Sequence, residues 1–248
     1  MTRDTAVGLH DTVATACRVL AREGLVSGIL GHVSARTRHD RLLIRCRGPQ
    51  ERGLRRTGAE EVWTVTTDGE PVDLPDGFRL PNEAPIHTEL MRRRPEVGAV
   101  IHAHPPAALL FGLAGLQLRP IIGAFNIPAL RVALDGVPVF PRPILISRRE
   151  LADEMLDVMG DADACLMVGH GITVAGATVE EAVVRAIDLT VIMDITVKMA
   201  QLGVSPSEIA QRDLDELPDL GSRFNAEFVW NSLVADLEME ERCGCHGP

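Results

Sequence analysis

The chain contains no tyrosine, so no phenol of its own is available to shuttle a proton. No apolar run approaches the roughly 18 residues that a membrane-spanning helix needs, and no bilayer span is expected. The first residues, with Arg3 and Asp4, have no apolar h-region, so no secretory leader is expected. The five cysteines, Cys17, Cys46, Cys165, Cys243 and Cys245, are odd in number and have no framework spacing. That excludes a disulfide scaffold and fits reduced thiols in a cytoplasm. Cys243-Gly244-Cys245-His246 has soft metal donors, but it reads first as a frayed terminus. There is no internal repeat and no linker long enough to divide the chain. A formal net charge of −10 argues against a nucleic-acid partner. It leaves an anionic small substrate open, because the charge at a site can oppose the global charge.

What is present reads as one large α/β domain over residues 1–248. The chain is 46% hydrophobic, enough to fill a sizeable core. Strands and helices mix without strict βαβ alternation. The reading is a three-layer α/β/α fold with a central, largely antiparallel sheet and a helical tail from about residue 203. Val13, Ala16, Cys17, Leu20 and Ala21 recur at helical spacing within 6–24, and Gly24 ends that helix. Gly28 to Arg36 is a glycine-flanked turn into a strand, and Leu42 to Thr57 is a strand running into a loop; the segment carries five arginines. A hairpin turns at Thr67-Asp68-Gly69-Glu70. A short apolar helix follows over 106–116, 123–135 is irregular, and Val137 to Phe140 is a strand. Ser147 caps a helix over 147–160 with Glu150 at its third position, and Thr178 caps a long helix over 179–201. In the tail, Ser205-Pro206-Ser207 reads as a helix start, and Phe228, Trp230 and Leu233 mark a docking helix.

The chemistry concentrates in Val100-Ile101-His102-Ala103-His104-Pro105-Pro106. Residues two apart on a strand point to the same side, so both imidazoles project together, about 6.5–7 Å apart along the backbone. That spacing suits two ligands of one transition metal, the alternative being two histidines with no ligand role. Pro105 and Pro106 remove two backbone donors and end the strand. A third histidine, His170, sits in Cys165 to Val174, which reads as one buried strand kinked at Gly169-His170-Gly171. Three histidines with an open position form a common catalytic metal arrangement. Upstream, Asn82 reads as an N-cap and Pro85 as a first-turn proline, which puts Glu83 in the first turn of a helix. The bland reading of Glu83 is a carboxylate that only answers the helix dipole.

These blocks resemble the class II aldolase/adducin family, which includes the fuculose- and rhamnulose-phosphate aldolases. The resemblance runs from about Thr12 to Gln201 and rests on Gly31 to Arg36, Asn82-Glu83 with His87, Arg94 to His104, and Gly169-His170-Gly171 with Gly176 to Ala182. It implies that His102, His104 and His170 hold one divalent metal ion per subunit. Three imidazoles and a carboxylate accept zinc, manganese, cobalt or iron. It also implies that Glu83 is the acid/base and a further metal ligand when no substrate is bound, and that the protein is a homotetramer with sites at subunit borders. Burial should raise the pKa of Glu83.

The chain departs from the sugar-phosphate aldolases of that family at three places. His32 stands where they usually have asparagine, either as a new substrate contact or as a bulky filler. Pro81-Asn82 replaces their serine pair, and the tyrosine they use is missing. In their place are arginines, of which Arg45 or Arg47 at a strand end suits a substrate carboxylate, the others being solvated. Gly31-His32-Val33-Ser34 with Arg45-Cys46-Arg47-Gly48-Pro49 looks more like the family's decarboxylases of hydroxylated aromatic dicarboxylates, such as the dihydroxyphthalate and pyridine-dicarboxylate enzymes. The expected activity is therefore a metal-dependent carbon–carbon lyase that releases CO2 through an enolate or phenolate, with His32, Ser34, Arg45, Arg47 and Asn82 around the substrate. An aldolase for a sugar phosphate or keto acid and a non-catalytic adducin-like scaffold are the alternatives.

Overall fold

The computed structural model describes residues 3–38, 40–221 and 223–243. In chain order its elements are α1 (Arg3–Arg22), β1 (His32–Arg38), β2 (Arg41–Arg45), β3 (Val62–Thr66), α2 (Ala84–Arg93), β4 (Ala99–Ala103), α3 (Pro106–Leu113), α4 (Ile127–Asp135) and β5 (Val139–Phe140). There follow α5 (Arg149–Met159), β6 (Ala164–Met167), β7 (Gly171–Gly176), α6 (Val179–Gln201), α7 (Gln211–Leu214) and α8 (Val229–Cys243). One seven-stranded sheet has the order β3-β2-β1-β4-β7-β6-β5, and only β5 and β6 pair in parallel. The α/β fold with a largely antiparallel sheet is as the sequence implies. No helix is long and apolar enough to cross a membrane among the described residues.

Strand alternation sorts the sheet into two faces. Val33, Ala35, Leu43, Ile101, Ala103, Ile172 and Val174 face a core shared with α1, α3 and α6. Leu42, Ile44, Val100, Cys165, Met167 and Ala175 face a second core under α2 and α5. His32, Ser34, His102 and Thr173 occupy alternating positions on that second face. The two helical layers therefore divide the labour: one side is apolar packing, and the other combines packing with a buried polar patch.

Several local expectations change. Residues 127–135 are a helix, because the Asn126 side chain accepts from the Ala129 N–H at 2.9 Å and Ala129, Leu130 and Ala133 bury one face. Helix α5 starts at Arg149 with Arg148, not Ser147, at the cap; the Ser147 N–H is taken by the Leu145 carbonyl. Residues 165–174 are two strands joined by a turn, not one kinked strand. Ser205-Pro206-Ser207 starts no helix, and α7 begins at Gln211. The hairpin at 67–70 forms, but its second arm shrinks to a bridge between Val65 and Pro71. In the tail, Trp230 and Leu233 dock on the first core while Phe228 is exposed. Of the Cys243-to-His246 motif, only the exposed Cys243 lies within the described residues.

Helix α4 is tied to α6 by Asn126, whose Nδ2 donates to Asp188 Oδ1 at 2.9 Å. Burial pushes the Asp188 carboxyl from 3.8 up to about 6, against the hydrogen bond from Asn126 and the charge of Arg185. Between those two pH values the folded chain keeps a proton that the unfolded chain has lost, so stability falls as pH rises through that window. Asp188→Asn keeps the acceptor and removes the charge. At pH 7.5 it is expected to raise unfolding stability by about 2–3 kcal/mol, the free energy that separates a carboxyl titrating at about 6 from one at 3.8. Urea unfolding of both proteins at pH 4 and pH 7.5 checks this; equal stability at pH 7.5 contradicts it.

Candidate metal centre and the histidine layer behind it

His102 is the fourth residue of β4, and His104 lies just past the strand end, where Pro105 and Pro106 turn the chain into α3. The two side chains do project together, with Nε2 atoms 2.8 Å apart. His170 arrives on the turn between β6 and β7. Gly169 takes a left-handed φ of +67° there. A Cβ on Gly171 would stand 2.3 Å from the Ala103 carbonyl oxygen and 2.8 Å from His104 Cδ2. The two glycines thus permit the close approach that seats His170 beside His104. The three rings form a nearly equilateral triangle, with centroid separations of 4.8, 4.9 and 4.8 Å.

Glu83 closes the group from the far helix layer. It is the N-cap residue of α2, so the cap falls one position later than expected and Asn82, which is exposed, is not the cap. The Glu83 carboxylate does not cap its own helix. Its Oε1 accepts the Ile146 N–H at 2.9 Å, and its Oε2 lies 3.3 Å from His102 Nε2 and 3.5 Å from His170 Nε2. Burial acts to raise its pKa, as expected, but hydrogen bonding and charge from His102 and His170 outweigh burial and hold it well below the usual carboxylate range. The expected rise is corrected: a carboxylate facing two imidazoles is stabilised as the anion.

The donor set fits a divalent ion. One ligand atom from each of Glu83, His102, His104 and His170 lies within 4.8 Å of the other three. Burial, reinforced by His102 and His170, pushes His104 down to about 3 against the pull of Glu83, so it is neutral in ordinary conditions. The Thr173 hydroxyl donates to Met167 Sδ at 3.5 Å, which leaves it only lone pairs for His102 Nδ1 at 3.3 Å. When His102 Nε2 offers its lone pair to an ion, Nδ1 carries the ring proton and the Thr173 hydroxyl accepts it, the usual support for a metal-binding imidazole. Three nitrogen donors and one oxygen suit zinc, manganese, cobalt or iron alike.

The expected substrate residues separate. His32 pairs with His102 across β1 and β4, and the rings stack at 5.6 Å and 17°. It is 4% exposed, and its Nδ1 is buried with no partner. Burial, helped by His102 and His87, pushes its pKa well down; Arg47 adds to this and Glu83 opposes it. Ser34 is buried and bonds His87 Nδ1 at 2.7 Å. Arg45 is not brought to the centre. By strand alternation it faces α1, on the other side of the sheet; it is 1% exposed and pairs with Glu51. Arg47 is placed differently. Its backbone bridges Arg79, its charge is felt at His32, and its Nε is buried with no partner. Among the described residues it makes no ion pair within 4 Å. Residues given no role from sequence are Ile146, Thr173 and His87. His87 lies one helical turn beyond Glu83, a spacing that could have flagged it; the other two depend on pairing and loop placement that spacing does not encode.

Residues 11–197 match the family model described as the class II aldolase and adducin N-terminal domain. The chain is 47% identical over 234 residues to a 3,4-dihydroxyphthalate decarboxylase of Arthrobacter keyseri, covering 93% of this chain and 94% of that protein. It is 47% identical over 226 residues to a protein of the same name from a Terrabacter species, covering 90% and 94%. Among solved structures, an L-fuculose 1-phosphate aldolase from Glaciozyma antarctica superposes with a TM-score of 0.77 at 19% identity, over 95% of this chain and 91% of that one, which speaks for the fold alone. By the extent of that family match, the chain belongs to the class II aldolase and adducin family.

Proposed function

We propose that this protein is a metal-dependent carbon–carbon lyase that decarboxylates a hydroxylated aromatic dicarboxylate of the 3,4-dihydroxyphthalate type. The observation that carries the reading is the similarity, across nearly the whole chain, to decarboxylases of that name. The site supports it. His102, His104 and His170, with Glu83, would hold the ion, which supplies Lewis acidity toward a substrate oxygen when bound. Zinc, manganese, cobalt or iron meets the donor set equally. Arg47, which makes no ion pair within 4 Å among the described residues and whose Nε is buried without a partner, would hold the carboxylate that the product retains. Asn82, exposed beside Glu83, lies at the rim. As the carbon–carbon bond breaks, its electron pair passes into the ring and CO2 departs. Glu83, pinned at Oε1 by Ile146, takes the proton of a substrate hydroxyl on Oε2 and places it on the same ring carbon, and the product hydroxyl regains a proton from solvent on release.

The assembly we propose is a homotetramer with sites at subunit borders. Support comes from the exposed apolar side chains Leu109, Leu110 and Leu113 on α3, the helix that follows His104, and from Phe125, 77% exposed. Buried free thiols at Cys17, Cys46 and Cys165, each pushed by burial up to about 12, are inert and suit a reducing cytoplasm.

A paired assay tests the activity. Metal-loaded protein is given dihydroxyphthalate-type acids, followed for CO2, and ketose 1-phosphates, followed for dihydroxyacetone phosphate. CO2 release with little sugar-phosphate cleavage is expected. Arg47→Met should lower kcat/KM for the acid by about 10- to 100-fold, the size of a charged hydrogen bond. Robust cleavage of a sugar phosphate with no CO2 from any aromatic acid overturns the reading.

A further inference from the structure

Behind the metal centre lies a polar pair that the reaction above does not use. Ser34 comes from β1, two residues past His32 and on the same face, and His87 comes from α2, one turn past Glu83. Both are fully buried, and Ser34 Oγ stands 2.7 Å from His87 Nδ1. No other side-chain hydrogen bond of Ser34 is present among the described residues. A buried hydroxyl with one acceptor in reach gives its proton there. His87 therefore accepts at Nδ1 and carries its own proton on Nε2, which is buried with no partner. Burial, with the charge of His102 and against that of Glu83, takes the ring down to about 3, so it stays neutral. His87 stands edge-on to His32, with centroids 5.9 Å apart at 72°. His32 in turn lies flat against His102. The His32 ring is thus held between a metal-binding imidazole and His87, and Arg47 is near enough for its charge to be felt there.

We infer that His87 is a positioning residue: held by Ser34, it fixes the His32 ring against His102 and so sets the gap between Arg47 and the metal centre that an aromatic dicarboxylate must fit. The inference rests on the decarboxylase reading for its substrate and on packing for its geometry. Ser34→Ala releases His87. His87→Asn keeps an amide near Ser34 but removes the edge that meets His32. Ser34→Thr retains the hydroxyl.

The test has a kinetic arm and a spectroscopic arm, both on metal-loaded protein. In Ser34→Ala and His87→Asn, KM for dihydroxyphthalate is expected to rise about 3- to 10-fold, the worth of a neutral hydrogen bond. Metal content should stay unchanged and kcat within about 3-fold, since neither residue touches a reacting atom. Ser34→Thr should restore KM. In long-range nitrogen–proton spectra of histidine-labelled protein, the wild type should show one tautomer for His87. Ser34→Ala should show a tautomer mixture there and a displaced His32 signal. Unchanged KM in both variants, or a fall in kcat accompanied by metal loss, overturns the inference. If the wild type releases no CO2 from any such acid, the functional reading has failed and the spectra alone decide. A His32 signal moved by Ser34→Ala then upholds the positioning role, and an unmoved one rejects it.

Discussion

Replacing His102 with alanine should leave the chain folded but unable to retain a divalent ion, and CO2 release should fall below detection. His102 occupies the middle of the constellation: its Nε2 meets His104 Nε2 at 2.8 Å and Glu83 Oε2 at 3.3 Å. Removing the ring takes one donor from a set of four. It also leaves Thr173 Oγ1 without the imidazole proton it accepts. Alanine at His104 or His170 should have the same outcome, because each holds an equal corner of the triangle. Thr173→Val gives a graded comparison: it keeps all four donors but frees the His102 tautomer, and metal affinity should weaken by about 10- to 100-fold. Elemental analysis of dialysed protein and circular dichroism are the measurements. Stoichiometric metal in all three alanine variants would remove the basis for a metal centre.

What could be read ahead of the structure follows a physical divide. The His102 and His104 pair was legible because a strand repeats every two residues, whatever its partners. His170 was legible because glycines on both sides of a histidine have few other uses. The long helix α6 announced itself through Thr178, whose side chain does accept from Glu181 N–H. Arg45 and Arg47 were not separable, because an arginine at a strand end looks the same on either face. The register of β2 against β1 and β3 puts Arg45 beneath α1 with Glu51, while the chain turns after Cys46 and carries Arg47 toward His32. The direction of the Glu83 shift was also out of reach. Burial is a property of one residue, but the opposing pull comes from His102 and His170, which lie 19 and 87 positions further along the chain. Helix α4 was hidden for a different reason: its signal is a single cap at Asn126 and three small or branched apolar residues amid glycine and proline.

Glu83→Gln is expected to reduce turnover by about 100-fold or more, the range associated with a positioned general acid, with the fold and metal content preserved. The substitution keeps the shape and the acceptor that Oε1 offers to the Ile146 N–H. That anchor matters, since Ile146 leads into α5 and an orphaned N–H there would cost about 1–3 kcal/mol. What glutamine lacks is the ability to give up and regain a proton at the second position, the one facing His102 and His170. Those imidazoles hold the carboxylate as an anion while their Nε2 atoms face it. A proton therefore reaches Oε2 only when the substrate supplies it, from a hydroxyl, and Glu83 passes it on to the ring carbon. The chemistry therefore asks Glu83 to serve as both a charge partner and a proton carrier; glutamine loses both, and metal content reports the first while kcat reports the second. The decisive comparison is kcat for CO2 release alongside metal content and thermal midpoint. A variant that keeps its ion and its midpoint but turns over near the wild-type rate would reduce Glu83 to a buried partner of the two imidazoles. A loss of at least 100-fold with both preserved assigns the proton to it.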